Sequence, residues 1–67
     1  MKFKAGQKVR ILPGNGWHDD NSIGIIVNPQ NGNDFSTQVE GSKNGRKRVL
    51  WIGLNYLRPL KTYRIIL

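Results

Sequence analysis

Short segments in which apolar and polar side chains alternate run through the chain, and turn residues separate them. In the first segment Val9 and Ile11 alternate with basic residues, which is the period-two pattern of a half-buried β-strand. Residues 23–27 are β-branched and apolar apart from Gly24, and this composition favours a second strand. Glycine at this position indicates a bend or a close approach of neighbouring backbone.

The middle of the chain repeats the pattern and adds a turn signal. Phe, Thr and Val alternate with Ser, Gln and Glu over residues 35–40, which predicts a third strand. We expect a fourth strand at about residues 46–52. Asn44 and Gly45 lie between these two segments, and because both residue types tolerate positive φ, the pair predicts a tight β-hairpin.

The last part of the chain is more irregular. Residues 53–57 are too few for an α-helix and too irregular for a strand, so we expect a single 3₁₀ turn there. Residues 58–60 form a short last strand, in which Pro59 requires an edge or strand-start position. We expect residues 61–67 to form a β-like tail that packs as a sixth strand against the first, or against a protein partner or a second copy of the chain. The apolar side chains of this tail are Tyr63, Ile65, Ile66 and Leu67.

The pattern as a whole predicts an all-β protein: a small five- to six-stranded antiparallel SH3-like barrel with one 3₁₀ turn over residues 1–60, followed by the tail at residues 61–67. A domain of this size has a thin core. The predicted core consists of Val9, Ile11, Ile25, Val27, Val39, Leu50, Ile52 and Leu57. No apolar run approaches the length that spans a membrane, so we expect no membrane partner.

Two stretches resemble known small-barrel families. Residues 6–11 (GQKVRI), Gly14 and residues 24–27 (GIIV) resemble the opening of KOW-type domains, which have a glycine-led basic strand, a loop and a Gly-x-Val-like second strand. Here the loop is several residues longer. Residues 54–60 (LNYLRPL) resemble the 3₁₀ turn and last strand that close SH3-like barrels. Ribosomal proteins, transcription elongation factors, photosynthetic-complex subunits and a plasmid-borne dihydrofolate reductase share such barrels, so the resemblance implies a fold rather than one function.

The net charge of the chain and its distribution along the sequence indicate which kind of partner the protein binds. The chain carries eleven Lys and Arg against four Asp and Glu, a formal net charge of +7. All four acids lie within residues 13–42, which contain no Lys or Arg, whereas residues 1–12 and 43–67 contain basic residues and no acid. A fold that brings the two ends together would concentrate positive charge on one side, which favours an anionic partner such as DNA or RNA. The absence of Cys and of an apolar signal core after Met1 predicts a cytoplasmic protein.

The basic segment at residues 43–48 is the most informative local feature. At a hairpin tip it suits phosphate contacts, because Arg engages phosphate bidentately. The alternative is a solvated turn that keeps the chain soluble and protects strand edges from pairing.

Two tryptophans are candidates for stacking on bases. If Leu50 and Ile52 face the core, Trp51 faces outward, and we favour this register over the one that buries Trp51. Trp17 lies in a Gly-rich loop, where we expect partial exposure rather than a cap on the barrel end. The predicted nucleic-acid-binding residues are Lys8, Arg10, Lys43, Arg46, Lys47, Arg48, Trp17 and Trp51.

The consecutive residues His18, Asp19 and Asp20 are only a weak signal for a metal-binding or catalytic site. One His and two adjacent carboxylates without converging partners do not make a metal or acid–base site, so we predict no enzymatic activity, metal or cofactor. An acidic loop also suits the proline-rich peptides that eukaryotic SH3 domains bind, but the opening aromatic motif of that family is absent here.

Three functional hypotheses follow. The leading one is a small basic module that binds DNA or RNA without sequence specificity through a basic face. The alternative is an accessory or interaction subunit of a larger assembly, docked through strand edges and the tail. The third is an oligomeric enzyme resembling the small-barrel reductase, with Trp51, Tyr56 and the basic segment around a pore between subunits, although the strand motif of that reductase is not matched.

Overall fold

A computed structural model describes residues 3–29 and 35–60 of the protein. The described residues are all-β, as predicted, and contain no α-helix, so none of their segments forms a helix that is long and apolar enough to cross a membrane. The strands are β1 (Lys8–Ile11), β2 (Ile23–Ile26), β3 (Ser36–Lys43), β4 (Arg46–Gly53) and β5 (Leu57–Pro59). The predicted 3₁₀ turn is present at Leu54–Tyr56, between β4 and β5. The predicted packing of the tail at residues 61–67 lies outside the described residues.

All five strands belong to one antiparallel sheet with the order β4-β3-β2-β1-β5. The longest strands, β3 and β4, each have eight residues and pair along their whole length. Their hairpin turns at Asn44 and Gly45, whose φ angles of 54° and 79° are both positive. The hairpin prediction is therefore confirmed, because a two-residue turn of this kind requires residues that adopt left-handed backbone.

The 3₁₀ turn shows that the sheet is curled. β4 and β5 are the two edges of the sheet, yet only the three residues of the turn separate them in the chain. Across a flat sheet these edges would lie about 19 Å apart, whereas three 3₁₀ residues advance about 6 Å. Backbone hydrogen bonds hold the turn on both sides, from Leu54 N–H to the Phe35 carbonyl (2.7 Å) and from Leu12 N–H to the Tyr56 carbonyl (2.8 Å). Within the described residues β4 and β5 do not pair, so the curled sheet is not closed into a barrel.

The concave face of the curled sheet buries one apolar core. Its members are Phe3, Val9, Ile11, Ile26, Val39, Ile52 and Leu57. Partly buried Leu50, Leu54 and Tyr56 pack against them. The core predictions for Val9, Ile11, Val39, Ile52 and Leu57 are confirmed, and Leu50 is half-buried at the border of the core.

The core predictions for β2 are wrong by one residue. Ile25 and Val27 are exposed, and Ile26 is buried instead. The cause is Gly24, which occupies an inward position: a Cβ at this residue would lie 2.5 Å from the Cγ1 atom of Val39. The side chains of the neighbouring strands already fill the space in front of Gly24, so it counts as a core position although it has no side chain. Of the predicted bend or close backbone approach at Gly24, the second is confirmed, because the same Cβ would lie 3.1 Å from the Glu40 backbone oxygen.

Candidate nucleic-acid interface

The convex face of the sheet carries two rows of exposed apolar side chains. Ile23, Ile25 and Val27 form one row, here named the β2 ridge, and Val49 and Trp51 form the other, the β4 ridge. Their exposed fractions range from 38% for Ile25 to 54% for Ile23. Exposed apolar side chains that cluster on one face are typical of a contact surface.

Polar side chains of β3 separate the two ridges. In the register of the sheet, Glu40 lies between Ile25 and Val49, and Gln38 lies opposite Trp51. Because neighbouring strands are about 4.8 Å apart, the ridges are about 10 Å apart. The convex face therefore has a polar centre, which includes a carboxylate, between two apolar borders.

Basic side chains flank this arrangement on the β1 side. Lys8 and Arg10 face outward on β1, and Lys8 is the cross-strand partner of Ile25. Arg58 on β5 is the cross-strand partner of Arg10, so the two arginines lie side by side on the convex face. Arg58 is not among the residues named for the predicted site, and the pairing of β1 with β5, between distant parts of the chain, brings it here.

Backbone carbonyls orient both arginines. Arg10 Nη1 donates a hydrogen bond to the Asn21 carbonyl (3.0 Å), and Arg58 Nη1 donates to the carbonyls of Asn55 (3.0 Å) and Leu57 (2.9 Å). These bonds hold two like charges in place, although cross-strand pairs of like charge are unfavourable. Among the described residues these bonds occupy one nitrogen of each guanidinium group, so the pair has further N–H donors for an anion.

Lys47 supplies the positive charge on the β4 side. Its Nζ atom forms a salt bridge with the Glu40 carboxylate (3.7 Å), and 78% of the Lys47 side chain is exposed. An exposed pair of this kind contributes little to stability, so Lys47 is able to leave Glu40 for another anion.

The structure divides the predicted basic segment 43–48 between two faces. Lys47 lies on the convex face with the ridges. Lys43, Arg46 and Arg48 lie on the other face of the sheet, the face that carries the core residues of β3 and β4. These three side chains are beyond the end of the core and are exposed. The segment is therefore not one patch, because consecutive residues of a strand point to opposite faces.

The two predicted tryptophans also separate. Trp51 faces outward, as predicted, and is 43% exposed. Trp17 is 53% exposed, which confirms its predicted partial exposure. It belongs to the loop between β1 and β2, in which the next residue, His18, packs against the core side of Gly41. Trp51 is thus the tryptophan that the convex face presents.

Asp19 links that loop to the tip of the β3–β4 hairpin. Its carboxylate accepts hydrogen bonds from the backbone amides of Asn44 (2.9 Å) and Gly45 (3.3 Å) and from the Ser42 hydroxyl (2.9 Å). The Asn44 amide first, and then the Ser42 hydroxyl and the Gly45 amide, lower the pKa of Asp19 below its ordinary value of 3.8. Asp19 therefore has a structural role: it fixes the position of the hairpin tip relative to the loop.

Asn15 and His18 organise the inside of the same loop. The buried Asn15 side chain accepts hydrogen bonds from the amides of Trp17 (2.8 Å) and His18 (2.7 Å) and donates to the carbonyls of Leu12 (2.9 Å) and His18 (3.1 Å). His18 is buried, with Nε2 2.8 Å from the Val39 carbonyl oxygen. Its other ring nitrogen, Nδ1, is buried and has no hydrogen-bond partner within residues 3–29 and 35–60.

The side chains of His18, Asp19 and Asp20 diverge. His18 packs inside, Asp19 binds the hairpin and Asp20 is exposed. Within residues 3–29 and 35–60, no three His, Cys, Asp or Glu side chains come together in a way that could hold a metal ion.

A groove with a volume of about 420 Å³ lies on the convex face beside the β2 ridge. Its lining residues are Lys8, Ile23, Ile25, Glu40, Gly41, Ser42, Gly45 and Lys47. The groove thus combines an apolar side, formed by the β2 ridge, with a lysine from each flank of the face and the Glu40 carboxylate. Small-molecule sites of comparable size accept a ligand with one apolar surface and a few polar groups.

Comparison of the chain with protein-family models, with curated proteins and with solved structures found no match in any of the three.

Proposed function

We propose that this protein is a small basic binding module that holds DNA or RNA without sequence specificity on the convex face of its sheet. The observation that carries the proposal is the placement of cations around exposed apolar side chains. Lys8, Arg10 and Arg58 lie on the β1 and β5 side of the β2 ridge. Lys47 lies on β4 itself, in line with Val49 and Trp51, at the hairpin end of the β4 ridge.

The chemistry of this face matches the two parts of a nucleotide. Lys and Arg side chains that bind phosphates displace the counterions of the nucleic acid. This release supplies affinity that does not depend on the nucleotide sequence. Bases offer flat apolar surfaces to aromatic and aliphatic side chains. A surface for a purely anionic partner would not need the β2 and β4 ridges, and a surface for a purely apolar partner would not need four flanking cations.

The order of the elements supports a finer fold assignment within the same proposal. A basic first strand, a long loop, three further strands, a 3₁₀ turn and a last strand paired with the first follow the SH3-like plan. The glycine-led β1 and the Gly24 approach in β2 are the features that resemble KOW-type domains. We propose that the protein is an SH3-like module with a sheet left open between β4 and β5.

The cations that lie off the convex face have a different role in this proposal. Lys43, Arg46 and Arg48 surround the hairpin tip and extend the positive potential beyond the sheet. Such charges accelerate the encounter with a polyanion more than they strengthen the final complex.

A salt-dependent titration tests the proposal. Labelled DNA and RNA oligonucleotides of several unrelated sequences should bind at low salt with similar affinities. The logarithm of the binding constant should fall linearly with the logarithm of the salt concentration, because each neutralised phosphate releases counterions. If no oligonucleotide binds at low salt, the proposal is wrong.

A second candidate function, docking onto a protein partner, is favoured by the outer edge of β4. This strand has eight residues, and within the described residues its outer edge has no strand partner. An open edge next to an apolar ridge suits strand addition by another chain. Binding of that kind would persist at high salt, whereas binding to phosphates would not, so the same titration separates the two functions.

A further inference from the structure

We infer that the convex face selects single-stranded over duplex nucleic acid, with bases on the apolar ridges and phosphates at the flanking cations. This inference rests on the proposed function and names the ligand class of the same surface. Three features carry it: the two ridges, the Glu40 carboxylate between them, and the groove beside the β2 ridge.

The ridges need a partner with free apolar faces. Ile23, Ile25 and Val27 on one side and Val49 and Trp51 on the other offer side chains that are between 38% and 54% exposed. In a duplex the faces of the bases are stacked on one another and are not offered to such a surface. In a single strand they are free, and stacking on an aromatic side chain strengthens binding by roughly five- to 150-fold per base.

Glu40 makes the centre of the face unfavourable for phosphate. It lies between Ile25 and Val49 in the register, and its side chain is 36% exposed. A phosphate that crossed this centre would meet a carboxylate of the same sign, whereas one at either flank would meet Lys8 or Lys47. A duplex presents phosphates on its whole outer surface, so it brings negative charge towards Glu40 and leaves the ridges without a partner.

The groove gives a base room beside that carboxylate. With about 420 Å³, the β2 ridge along one side and the side chains of Lys8 and Lys47, it offers an apolar surface for a base and cations for a phosphate. Single-stranded nucleic acid is recognised elsewhere in the same way, by stacking platforms placed within an electropositive groove.

The test compares a single-stranded dT oligonucleotide of about 16 residues with a duplex of the same length, at low salt, by fluorescence anisotropy. The wild-type protein should bind the single strand at least about tenfold more tightly than the duplex. Trp51→Ala should weaken binding of the single strand by about tenfold and change binding of the duplex by less than about twofold. Trp17→Ala is the matched control, because it removes the other tryptophan, and it should leave both affinities almost unchanged.

Two further measurements do not depend on the Trp51→Ala variant folding. In Trp17→Phe, Trp51 is the only tryptophan left in the chain, and its fluorescence should be quenched by the single strand but not by the duplex. Glu40→Gln should strengthen binding of the duplex more than that of the single strand and so reduce the preference.

The outcomes separate the inference from the proposed function. Equal affinity for single strand and duplex, or no quenching of Trp51 by the single strand, would overturn the inference while the proposed function stands. Failure of both oligonucleotides to bind would overturn the proposed function itself. A larger loss for Trp17→Ala than for Trp51→Ala would show that bases stack at the loop instead of the ridges, and would also overturn the inference.

Discussion

The carboxylate of Asp19 accepts a hydrogen bond from the backbone amide of Asn44 at 2.9 Å, so a residue of the β1–β2 loop holds the tip of a hairpin 25 positions away in the chain. The same carboxylate accepts bonds from Ser42 and Gly45. The loop and the hairpin that carries Lys47 are therefore one structural unit.

The first prediction concerns the pH dependence of this contact. Because the hydrogen bonds lower the pKa of Asp19 in the folded protein, the unfolded chain takes up the proton more readily. The stability due to Asp19 is therefore fully present above its ordinary pKa of 3.8 and is lost as the pH falls through the lower pKa of the folded state. Asp19→Asn should lower the melting temperature at neutral pH, and its difference from the wild type should shrink below pH 3.8.

Asp20→Asn is the control for that measurement, because it makes the same change at the exposed neighbour. Its melting temperature at neutral pH should stay close to that of the wild type. If Asp19→Asn and Asp20→Asn melt alike, Asp19 does not hold the hairpin.

The second prediction concerns Gly24. A methyl group at this residue would lie 2.5 Å from Val39 Cγ1, 2.9 Å from Ile11 Cδ1 and 3.1 Å from the Glu40 backbone oxygen. Gly24→Ala should therefore reduce the free energy of unfolding by roughly 1–3 kcal/mol, as overpacking of a core does. Denaturation with urea measures this change.

Gly53→Ala is the matched control for Gly24→Ala. Its methyl group would lie 2.9 Å from the Asn55 Oδ1 atom, which is at the end of a flexible side chain that can move away. The loss of stability at residue 53 should be clearly smaller. Equal losses at the two glycines would mean that residue 24 does not face the core.

The third prediction tests which residues of β2 face the core. Ile26 is buried and Ile25 is 38% exposed on the convex face. Ile26→Ala should reduce the free energy of unfolding by roughly 2–5 kcal/mol, whereas Ile25→Ala should cost less than about 1 kcal/mol. The reverse order in urea denaturation would restore the predicted core, in which Ile25 and Val27 face inward.

β2 also shows where prediction from the sequence fails. The segment Ile23–Ile26 is apolar on both faces, so its pattern does not distinguish inside from outside. The two residues of β2 that face the core are Gly24 and Ile26. Gly24 has no side chain, so its core position is recognised only from the Val39 and Ile11 side chains that pack against it. In β1 the alternation of Lys8, Val9, Arg10 and Ile11 has one apolar face, and there the prediction is confirmed.

The candidate site was predictable in composition but not in arrangement. Lys8, Arg10 and Trp51 follow from alternation within single strands, and the hairpin follows from the local preference of Asn44 and Gly45 for positive φ. Sheet geometry divides residues 43–48 between two faces. Sheet topology, which pairs β1 with β5, places Arg58 beside Arg10. The structural role of Asp19 depends on contacts between residues that are far apart in the chain.

The most direct test of the proposed function compares two pairs of substitutions that remove the same charge. Lys8→Ala with Lys47→Ala removes two cations from the convex face, and Lys43→Ala with Arg46→Ala removes two from the opposite side of the hairpin. The measurement is the dependence of single-strand affinity on salt. The first pair should reduce the slope of log K against log salt by about 1.4, because two phosphate contacts are lost, and the second pair should leave it nearly unchanged. Equal changes for both pairs, or a change for the second pair alone, would contradict binding on the convex face.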